Sequence, residues 1–169
     1  MYFFSNTLID PEVSIMKGAV IYGIKPSKIV SRKSPFTIGI GTYSERKEGT
    51  ECRNMKEDRC EYFDVFISKG DDVKNNEEVS KRYIPLSEDQ KIIEFSLYFS
   101  KMRNQIYIDE NAIKISNFTM PVNEMNIPIE ERKFEVKMKF GSFITVTGKN
   151  LVTGEKVKIL ANYYNRNDK

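Results

Sequence analysis

Apolar and polar residues alternate with a period of two along residues 134–161. The run FEVKMKF alternates apolar with charged residues, and the pattern resumes in ITV and VKI after the turn signals Gly141-Ser142 and Thr153-Gly154. A period of two places the apolar residues on one face of a strand and the charges on the other. The pattern predicts three consecutive antiparallel strands whose apolar face must be covered by the rest of the chain.

The register of the first hairpin follows from the same pattern. A three-residue loop, 141–143, pairs Phe140 with Ile144 and Met138 with Val146, which keeps one apolar face. A two-residue loop would move the apolar residues of the second strand to the opposite face, because a shift of one residue reverses every side chain. We therefore predict the longer loop.

Similar alternation occurs upstream and predicts a mainly β fold. The residues that should share the face of the clearest upstream strand are Ile93, Phe95, Leu97 and Phe99. The upstream strands are predicted at 34–43, 61–67, 78–84, 91–99 and 112–120. About eight short strands separated by turns are typical of an antiparallel β-sandwich or a small barrel. We interpret 25–33 as a connector and 44–60 as a long exposed loop.

One N-terminal α-helix is predicted at about residues 11–23. Asp10 can cap it, Pro11 suits its first position, and Gly23 ends it. Because one side of the helix is apolar, we expect it either to pack on the sandwich or to be disordered, and an exposed helix to favour self-association. The predicted division is residues 1–33, with the helix and connector, and residues 34–164, the sandwich.

Composition narrows the class of protein. The 169 residues include 40% hydrophobic residues, and 27 Lys and Arg against 24 Asp and Glu give a net charge of +3. The two signs are interspersed, which argues against a nucleic-acid partner. No run has the length of a membrane span and no basic leader is evident, so we predict a cytoplasmic protein without a membrane partner. The absence of His excludes His-dependent nucleophile systems and His-based metal sites.

The two cysteines do not form a metal motif. Cys52 and Cys60 are separated by seven residues in a highly charged segment. This spacing matches no zinc pattern, and two ligands would not complete a site. We favour free thiols in a reducing compartment over a disulfide.

Other candidates for chemistry also have structural explanations. Asp64, Asp71 and Asp72 could supply carboxylates for acid–base catalysis or a hard metal, but Asp is common in turns such as Asp71-Asp72 for backbone reasons. Gly39 and Gly41 lie in a strand pattern, where a close backbone approach or a bulge explains them better than a phosphate site. The residues alone predict a β-rich binding or structural module, with no catalytic residue, metal or cofactor.

The ordered segments of the chain resemble the C-terminal part of the 70-kDa heat-shock protein family, in its divergent heat-shock protein 12-type branch. PEVSIMKGAVIYGI is similar to the last long helix of that family's nucleotide-binding domain, and KPSKIVSRKSPFTIGIGTY is similar to the connector and first sandwich strand. The similarity continues in order through FDVFISKGDDV, RYIPLSEDQKIIEFSLY, KISNFTMPV, NIPIEERKFEVKMKF and FITVTGKNLVTGEKVKIL. It covers residues 11–162.

The resemblance implies a peptide-binding β-sandwich that holds extended hydrophobic segments of unfolded polypeptide, as chaperones do. The residues that match the family's cleft are Ile40, Thr42, Tyr43, Tyr83, Gln90, Ile93 and Phe95. For Ile40, Ile93 and Phe95, an ordinary core position is an equal alternative.

Four departures from the family modify this expectation. The phosphate-binding loops of the ATPase lobes are missing, so we expect this chain to bind neither ATP nor Mg²⁺ and to have no enzyme activity. We expect ATPase activity only in full-length relatives. The connector SKIVSRK is polar where the family has leucines, the helical lid is missing, and the loop 44–60 is longer. The alternative function is therefore a sandwich that serves as a protein-interaction or structural module without peptide capture.

Overall fold

The computed structural model describes residues 11–25, 30–45, 55–56, 59–124, 126–141 and 143–161. This part of the chain contains one α-helix, eleven strands and a short 3-10 helix, Ile129–Glu131. The helix α1 is Pro11–Ile24, and the strands are β1 Ser31–Lys33, β2 Thr37–Glu45, β3 Met55–Lys56, β4 Arg59–Ile67, β5 Asp72–Lys74, β6 Glu78–Tyr83, β7 Ile92–Ser100, β8 Ala112–Pro121, β9 Phe134–Phe140, β10 Ile144–Asn150 and β11 Lys156–Ala161.

The strands form an antiparallel β-sandwich, as predicted. A five-stranded sheet has the order β3-β4-β2-β7-β8, a four-stranded sheet has the order β11-β10-β9-β6, and β1 and β5 form a separate ribbon. The inner faces of both large sheets contribute to one hydrophobic core, in which Phe95 of β7 lies 6.5 Å from Phe134 of β9 between ring centroids. All eight predicted strands are present, and β1, β3 and β5 are short additions.

The register predicted for the β9–β10 hairpin is confirmed. Phe140 pairs with Ile144 and Met138 pairs with Val146. Burial alternates strictly along both strands, with the apolar side chains buried and the intervening ones half-buried. The apolar face therefore selects the register, as the period of two requires.

The face assigned to β4 is wrong in its first half. The alternation along residues 61–67 predicts one face for Phe63, Val65 and Ile67, but only Ile67 belongs to the main core, whereas Phe63 and Val65 belong to a smaller cluster on the outer face. The pairing of β2 with β4 shifts between Ile38 and Gly39. This β-bulge adds a residue to β4 and reverses the side chains that precede it.

The glycines of the GxG pattern have the structural role that was predicted for them. A Cβ atom on Gly39 would collide with the Phe63 ring and lie 2.5 Å from the backbone oxygen of Asp64. A Cβ atom on Gly41 would lie 2.9 Å from the ring of Tyr98. Two aromatic rings therefore pack directly on the backbone of β2, at the bulge and two residues beyond it.

Helix α1 neither packs on the sandwich nor is disordered, contrary to both expectations. All its described side chains are exposed, including Met16 at 67% and Ile24 at 71%. The predicted cap, Asp10, lies outside the described residues. Arg32 of β1 donates a hydrogen bond of 3.2 Å to the Tyr22 hydroxyl and lies 5.7 Å from the centre of its ring. Among the described residues, no helix combines the length and the apolar character needed to span a membrane.

Two segments interpreted as loops carry more structure than predicted. Residues 31–33 of the connector form β1, and β2, β3 and β4 extend into the predicted loop 44–60, of which 46–54 and 57–58 lie outside the described residues. Cys60 is buried and disulfide-bonded, so the prediction of a free thiol is wrong for this residue. The chain's other cysteine, Cys52, lies outside the described residues.

Candidate functional site

The two central strands of the five-stranded sheet separate at one end. β2 and β7 pair from Thr37–Ser100 to Gly41–Ser96. Beyond this point, β2 continues to residue 45 and stays paired with β4. The first residues of β7, from residue 92, pair with β8. In the described part of the chain, residues 42–45 and 92–95 thus have no ladder pairing with each other. We call this the splayed end, and we call the end that contains Thr37 and Ser100 the connector end.

Aromatic rings fill the space between the sheets at the splayed end. Phe95 of β7 stacks on Phe118 of β8 with ring centroids 5.1 Å apart, and Tyr83 of β6 meets Phe95 edge-on at 5.4 Å. Phe134, which pairs with Tyr83 across β6 and β9, lies 6.5 Å from Phe95 between ring centroids. Phe95 is only 3% exposed, so this group is a compact part of the core.

A polar contact connects the two sheets beside these rings. The Tyr83 hydroxyl donates a hydrogen bond of 2.7 Å to Asp64 Oδ2, and Lys81 Nζ donates to Asp64 Oδ1. Lys81 also lies over the ring of Phe66, 5.3 Å from its centre. Asp64 belongs to β4 of the larger sheet, and Lys81 and Tyr83 belong to β6 of the smaller one. We call these three residues the inter-sheet contact.

The environment of the inter-sheet contact keeps the tyrosine protonated. Burial, together with the charge of Asp64 and the hydrogen bond to it, raises the pKa of Tyr83 far above its usual value. The tyrosine is therefore a permanent donor, since deprotonation would leave two negative groups in contact. Lys81 supplies the positive charge that accompanies the carboxylate, and about a third of each charged side chain remains exposed.

A second polar cluster lies on the outer face of the same end. Tyr43 lies two residues after Gly41 on β2 and therefore on the same face of the strand. Burial and the charges of Glu61 and Glu94 raise the pKa of Tyr43. Burial and the charge of Glu61 likewise raise the pKa of Tyr98. Hydrogen bonds from Lys114 and Asn117 lower the pKa of Glu94. This face of the splayed end carries tyrosines and carboxylates, whereas the inner face carries apolar rings.

Gln90 holds the turn that precedes β7. Its side-chain oxygen accepts a hydrogen bond of 2.6 Å from the backbone of Leu86, and its side-chain nitrogen donates one of 2.8 Å to the carbonyl oxygen of Ile92. Gln90 therefore fixes the start of the β7 edge at the splayed end.

The structure brings together most, but not all, of the predicted peptide-binding residues. Ile40, Ile93 and Phe95 lie in the main core, in agreement with the alternative that they are ordinary core residues. Thr42 is half-buried on the same face of β2 as Ile40, whereas Tyr43 is on the outer face. Whether any of the seven predicted residues contacts a peptide stays a prediction.

Sequence reasoning missed Lys81 and the position of Asp64. If Phe63 and Val65 faced the core, an uninterrupted alternation would place Asp64 on the outer face, and the bulge reverses this. A signal for Lys81 was present: it stands between two apolar residues, Val79 and Tyr83, that face the core. A charged residue inside such an alternation indicates a partner on the facing sheet.

The turn carboxylates have structural partners. Asp71 accepts a hydrogen bond of 3.1 Å from the backbone of Ser68 and one of 2.9 Å from Arg103, and Asp72 pairs with Lys33 at 2.7 Å. Among the described residues, no three His, Cys, Asp or Glu side chains are grouped so that they could hold a metal ion.

Comparison with known proteins identifies relatives of the chain. It is 28% identical to heat shock 70 kDa protein 12A of Homo sapiens over 166 residues, which covers 92% of this chain and 25% of that protein. The Mus musculus protein of the same name gives the same identity and coverage. Heat shock 70 kDa protein 12B of Homo sapiens is 24% identical over 164 residues, which covers 88% of this chain and 24% of that protein. No protein-family model matches the chain.

These matches confirm the resemblance to the divergent branch of the 70-kDa heat-shock family. The chain spans about a quarter of the length of the curated relatives that it matches.

Proposed function

We propose that this chain, a homologue of the heat shock 70 kDa protein 12 proteins, binds extended apolar polypeptide segments at the splayed end of its sandwich. The observation that carries the proposal is the separation of β2 from β7 after the Gly41–Ser96 pair. Strand edges without a ladder partner can pair with the backbone of an extended segment. Alternate side chains of that segment would then point toward the inner face.

The apolar rings beneath the separated strands support this proposal. A side chain that enters between the sheets would meet the ring of Phe95, which Tyr83 covers edge-on. Tyr83 must move aside for such a side chain to enter, and its movement breaks the hydrogen bond to Asp64. The inter-sheet contact would therefore oppose binding until a segment with enough apolar surface replaces the Tyr83 ring.

One observation favours the alternative, an interaction module without peptide capture. Ile40, Ile93 and Phe95 are 1%, 7% and 3% exposed, so the inner face of the splayed end offers little free apolar surface. In this case the outer face, with Tyr43 and Glu94, is the better candidate for contact with a folded partner, because aromatic residues are enriched in protein interfaces.

Fluorescence anisotropy with labelled apolar heptapeptides distinguishes the two functions. We expect saturable binding in the micromolar range, weakened at least about tenfold by Phe95→Asp, since a charge in the apolar site must be desolvated. Tyr83→Ala should also change the affinity, because it removes the side chain that covers Phe95. Phe143→Ala is the matched control: this aromatic residue is exposed and follows β9 at the connector end.

The proposal fails if no heptapeptide binds saturably, or if folded Phe95→Asp and Tyr83→Ala variants bind as the unchanged protein does. Circular dichroism and denaturant titration establish that each variant is folded before its affinity is compared.

We also propose that nucleotide binding resides in sequence outside these 169 residues, in a longer ATP-dependent protein. Isothermal titration calorimetry of the chain with Mg-ATP should show no heat of binding. Saturable binding would contradict this part of the proposal and leave peptide binding unaffected.

A further inference from the structure

The outer face of the four-stranded sheet carries an excess of positive charge. The strand pairings place its residues in three rows that run from β11 to β6: Leu160, Thr145, Lys139 and Glu78; Lys158, Thr147, Lys137 and Ser80; Lys156, Lys149, Glu135 and Arg82. Six cations stand against two carboxylates on this one face, whereas the whole chain has a net charge of only +3. The fold therefore sorts charges that are interspersed along the sequence.

The positive charge of this face is least compensated on the side of β10 and β11. Both carboxylates of the face lie on β6 and β9, where Glu78 pairs with Lys137 at 3.4 Å. On the other side, Lys149 stands directly opposite Lys156, and Lys158 follows two residues later on β11. Within the described ranges, none of these three lysines forms an ion pair. Because like charges that face each other destabilise a strand pair, this arrangement favours a negatively charged partner.

Protection of a sheet edge explains only part of this charge. β11 is an edge strand, and lysines on an edge discourage pairing with other chains. This accounts for Lys156 and Lys158 but not for Lys149, which lies on the interior strand β10. The same lysines argue against a second copy of this chain as the partner, because two β11 edges would bring like charges together.

The edge of β11 has the pattern that an added strand requires. In the described part of the chain, β11 forms a ladder with β10 alone. Lys156 and Lys158 are exposed, whereas the alternate residues Val157 and Ile159 are half-buried against the main core. An added strand would lie about 4.8 Å from β11, with one set of its alternate side chains beside the lysines and the other beside Val157 and Ile159.

The composition of the face favours a polypeptide over other polyanions. None of its twelve residues is aromatic, whereas single-stranded nucleic acid binds on stacking rings. An anionic membrane surface would approach the whole face, including Glu78 and Glu135. A narrow segment beside β11 avoids both carboxylates, because β9 and β6 lie roughly 10 and 14 Å from β11. These separations exceed the Debye length of about 8 Å at physiological salt.

We propose that the edge of β11 binds an extended segment of another protein, in which acidic residues alternate with apolar ones, as an added strand of the four-stranded sheet. The acidic side chains meet Lys156 and Lys158, with Lys149 on the next strand. The apolar side chains extend the core beside Val157 and Ile159. This ligand differs in charge from the apolar segments proposed for the splayed end, and the inference does not rest on that proposal.

Fluorescence anisotropy with a labelled decapeptide of alternating Glu and Val tests the proposal. We expect saturable binding that weakens in salt, because exposed charge pairs are screened. Lys156→Glu/Lys158→Glu should weaken binding about tenfold or more, and this variant should instead bind a decapeptide of alternating Lys and Val. Lys74→Glu/Lys101→Glu is the matched control: both lysines are exposed and lie outside this sheet, the change in net charge is the same, and the affinity should stay within about twofold.

Hydrogen–deuterium exchange separates strand addition from loose electrostatic attraction. The bound peptide should slow exchange in residues 156–161 and leave residues 59–67 of β4 unchanged, because a new ladder protects backbone N–H groups. A decapeptide of the same composition, with its Glu residues together and its Val residues together, should bind about tenfold more weakly, since it cannot present an acidic and an apolar face at once.

The proposal is overturned if the alternating peptide does not bind saturably, if the block peptide binds equally well, or if folded Lys156→Glu/Lys158→Glu binds as the unchanged protein does. It is also overturned if phosphatidylserine vesicles or an RNA oligonucleotide bind through these two lysines at least as tightly as the peptide at the same salt concentration. Apolar heptapeptides should bind this double variant as they bind the unchanged protein, so the failure of one site is distinguishable from the failure of the other.

Discussion

The two ends of the five-stranded sheet are held by different kinds of interaction. At the connector end, the buried Thr37 hydroxyl donates a hydrogen bond of 2.6 Å to the carbonyl oxygen of Met102. It accepts a hydrogen bond of 3.0 Å from the backbone N–H of Lys69. On the neighbouring strand, the Ser100 hydroxyl donates a hydrogen bond of 2.8 Å to the side-chain oxygen of Gln105. At the splayed end, by contrast, the central strands have parted, and aromatic packing between the sheets takes the place of the ladder.

These two kinds of interaction indicate which end of the sheet can open. Buried hydrogen bonds are directional and costly to leave unmade, so the connector end has one geometry. Packed rings are less directional, and Phe95 could accept another apolar group in place of Tyr83. The splayed end, at residues 42–45 and 92–95, is therefore where we expect β2 and β7 to separate further, while their pairing at Thr37 and Ser100 remains.

Removing the central ring of the splayed end should destabilise the protein most. Phe95→Ala should lower the free energy of unfolding by about 3–5 kcal/mol, because it deletes a buried ring that contacts both sheets and leaves a cavity. Urea denaturation followed by circular dichroism measures the loss. The neighbouring Ile92 is 59% exposed, and Ile92→Ala should change the free energy by less than about 0.5 kcal/mol. Equal effects would show that the rings do not hold this end.

A smaller effect is expected from the hydroxyl that holds the connector end. Thr37→Val keeps the side-chain volume but leaves the backbone groups of Met102 and Lys69 without this partner, and should cost about 2–3 kcal/mol. The same denaturation experiment measures it, with exposed Thr119→Val as the control, expected to be within about 0.5 kcal/mol of the unchanged protein. A cost below that of the control would mean that the polar network does not hold the strands together.

The sequence predicted the smaller sheet better than the larger one, for a physical reason. In β9 and β10, the period of two runs without interruption, so the pairing of Met138 with Val146 could be worked out from burial alone. In β4, the bulge opposite Ile38 and Gly39 interrupts the alternation, and no local residue pattern reveals on which side of the bulge the apolar face changes. The error in the face predicted for Phe63 and Val65 follows from this.

The candidate site was predictable only in part. Tyr83, Ile93 and Phe95 could be placed by alternation and by resemblance to the family, and they do lie in one region of the molecule. The inter-sheet contact could not be predicted, because Asp64 and Lys81 meet only when the two sheets pack, and sheet packing depends on every strand. The exposure of α1 was likewise unpredictable, since an apolar helix surface favours burial.

The pH dependence of stability tests the inter-sheet contact, and we expect a smaller change than for the two substitutions above. Because the pKa of Tyr83 is raised in the folded state, the unfolded chain loses this proton first as pH rises. The stabilisation that protonated Tyr83 contributes is fully present below the pKa of tyrosine in the unfolded chain, about 10, and is lost as pH rises above that value. The free energy of unfolding should therefore fall above about pH 10, with up to about 1.4 kcal/mol per pH unit due to Tyr83. Tyr83→Phe should make this slope shallower. Tyr107→Phe is the control, because this half-buried ring packs on Tyr62 and Tyr107 is not part of the inter-sheet contact, and the variant should keep the slope of the unchanged protein. Identical slopes for both variants would show that Tyr83 is not held protonated, and the inter-sheet contact would then not distinguish the splayed end.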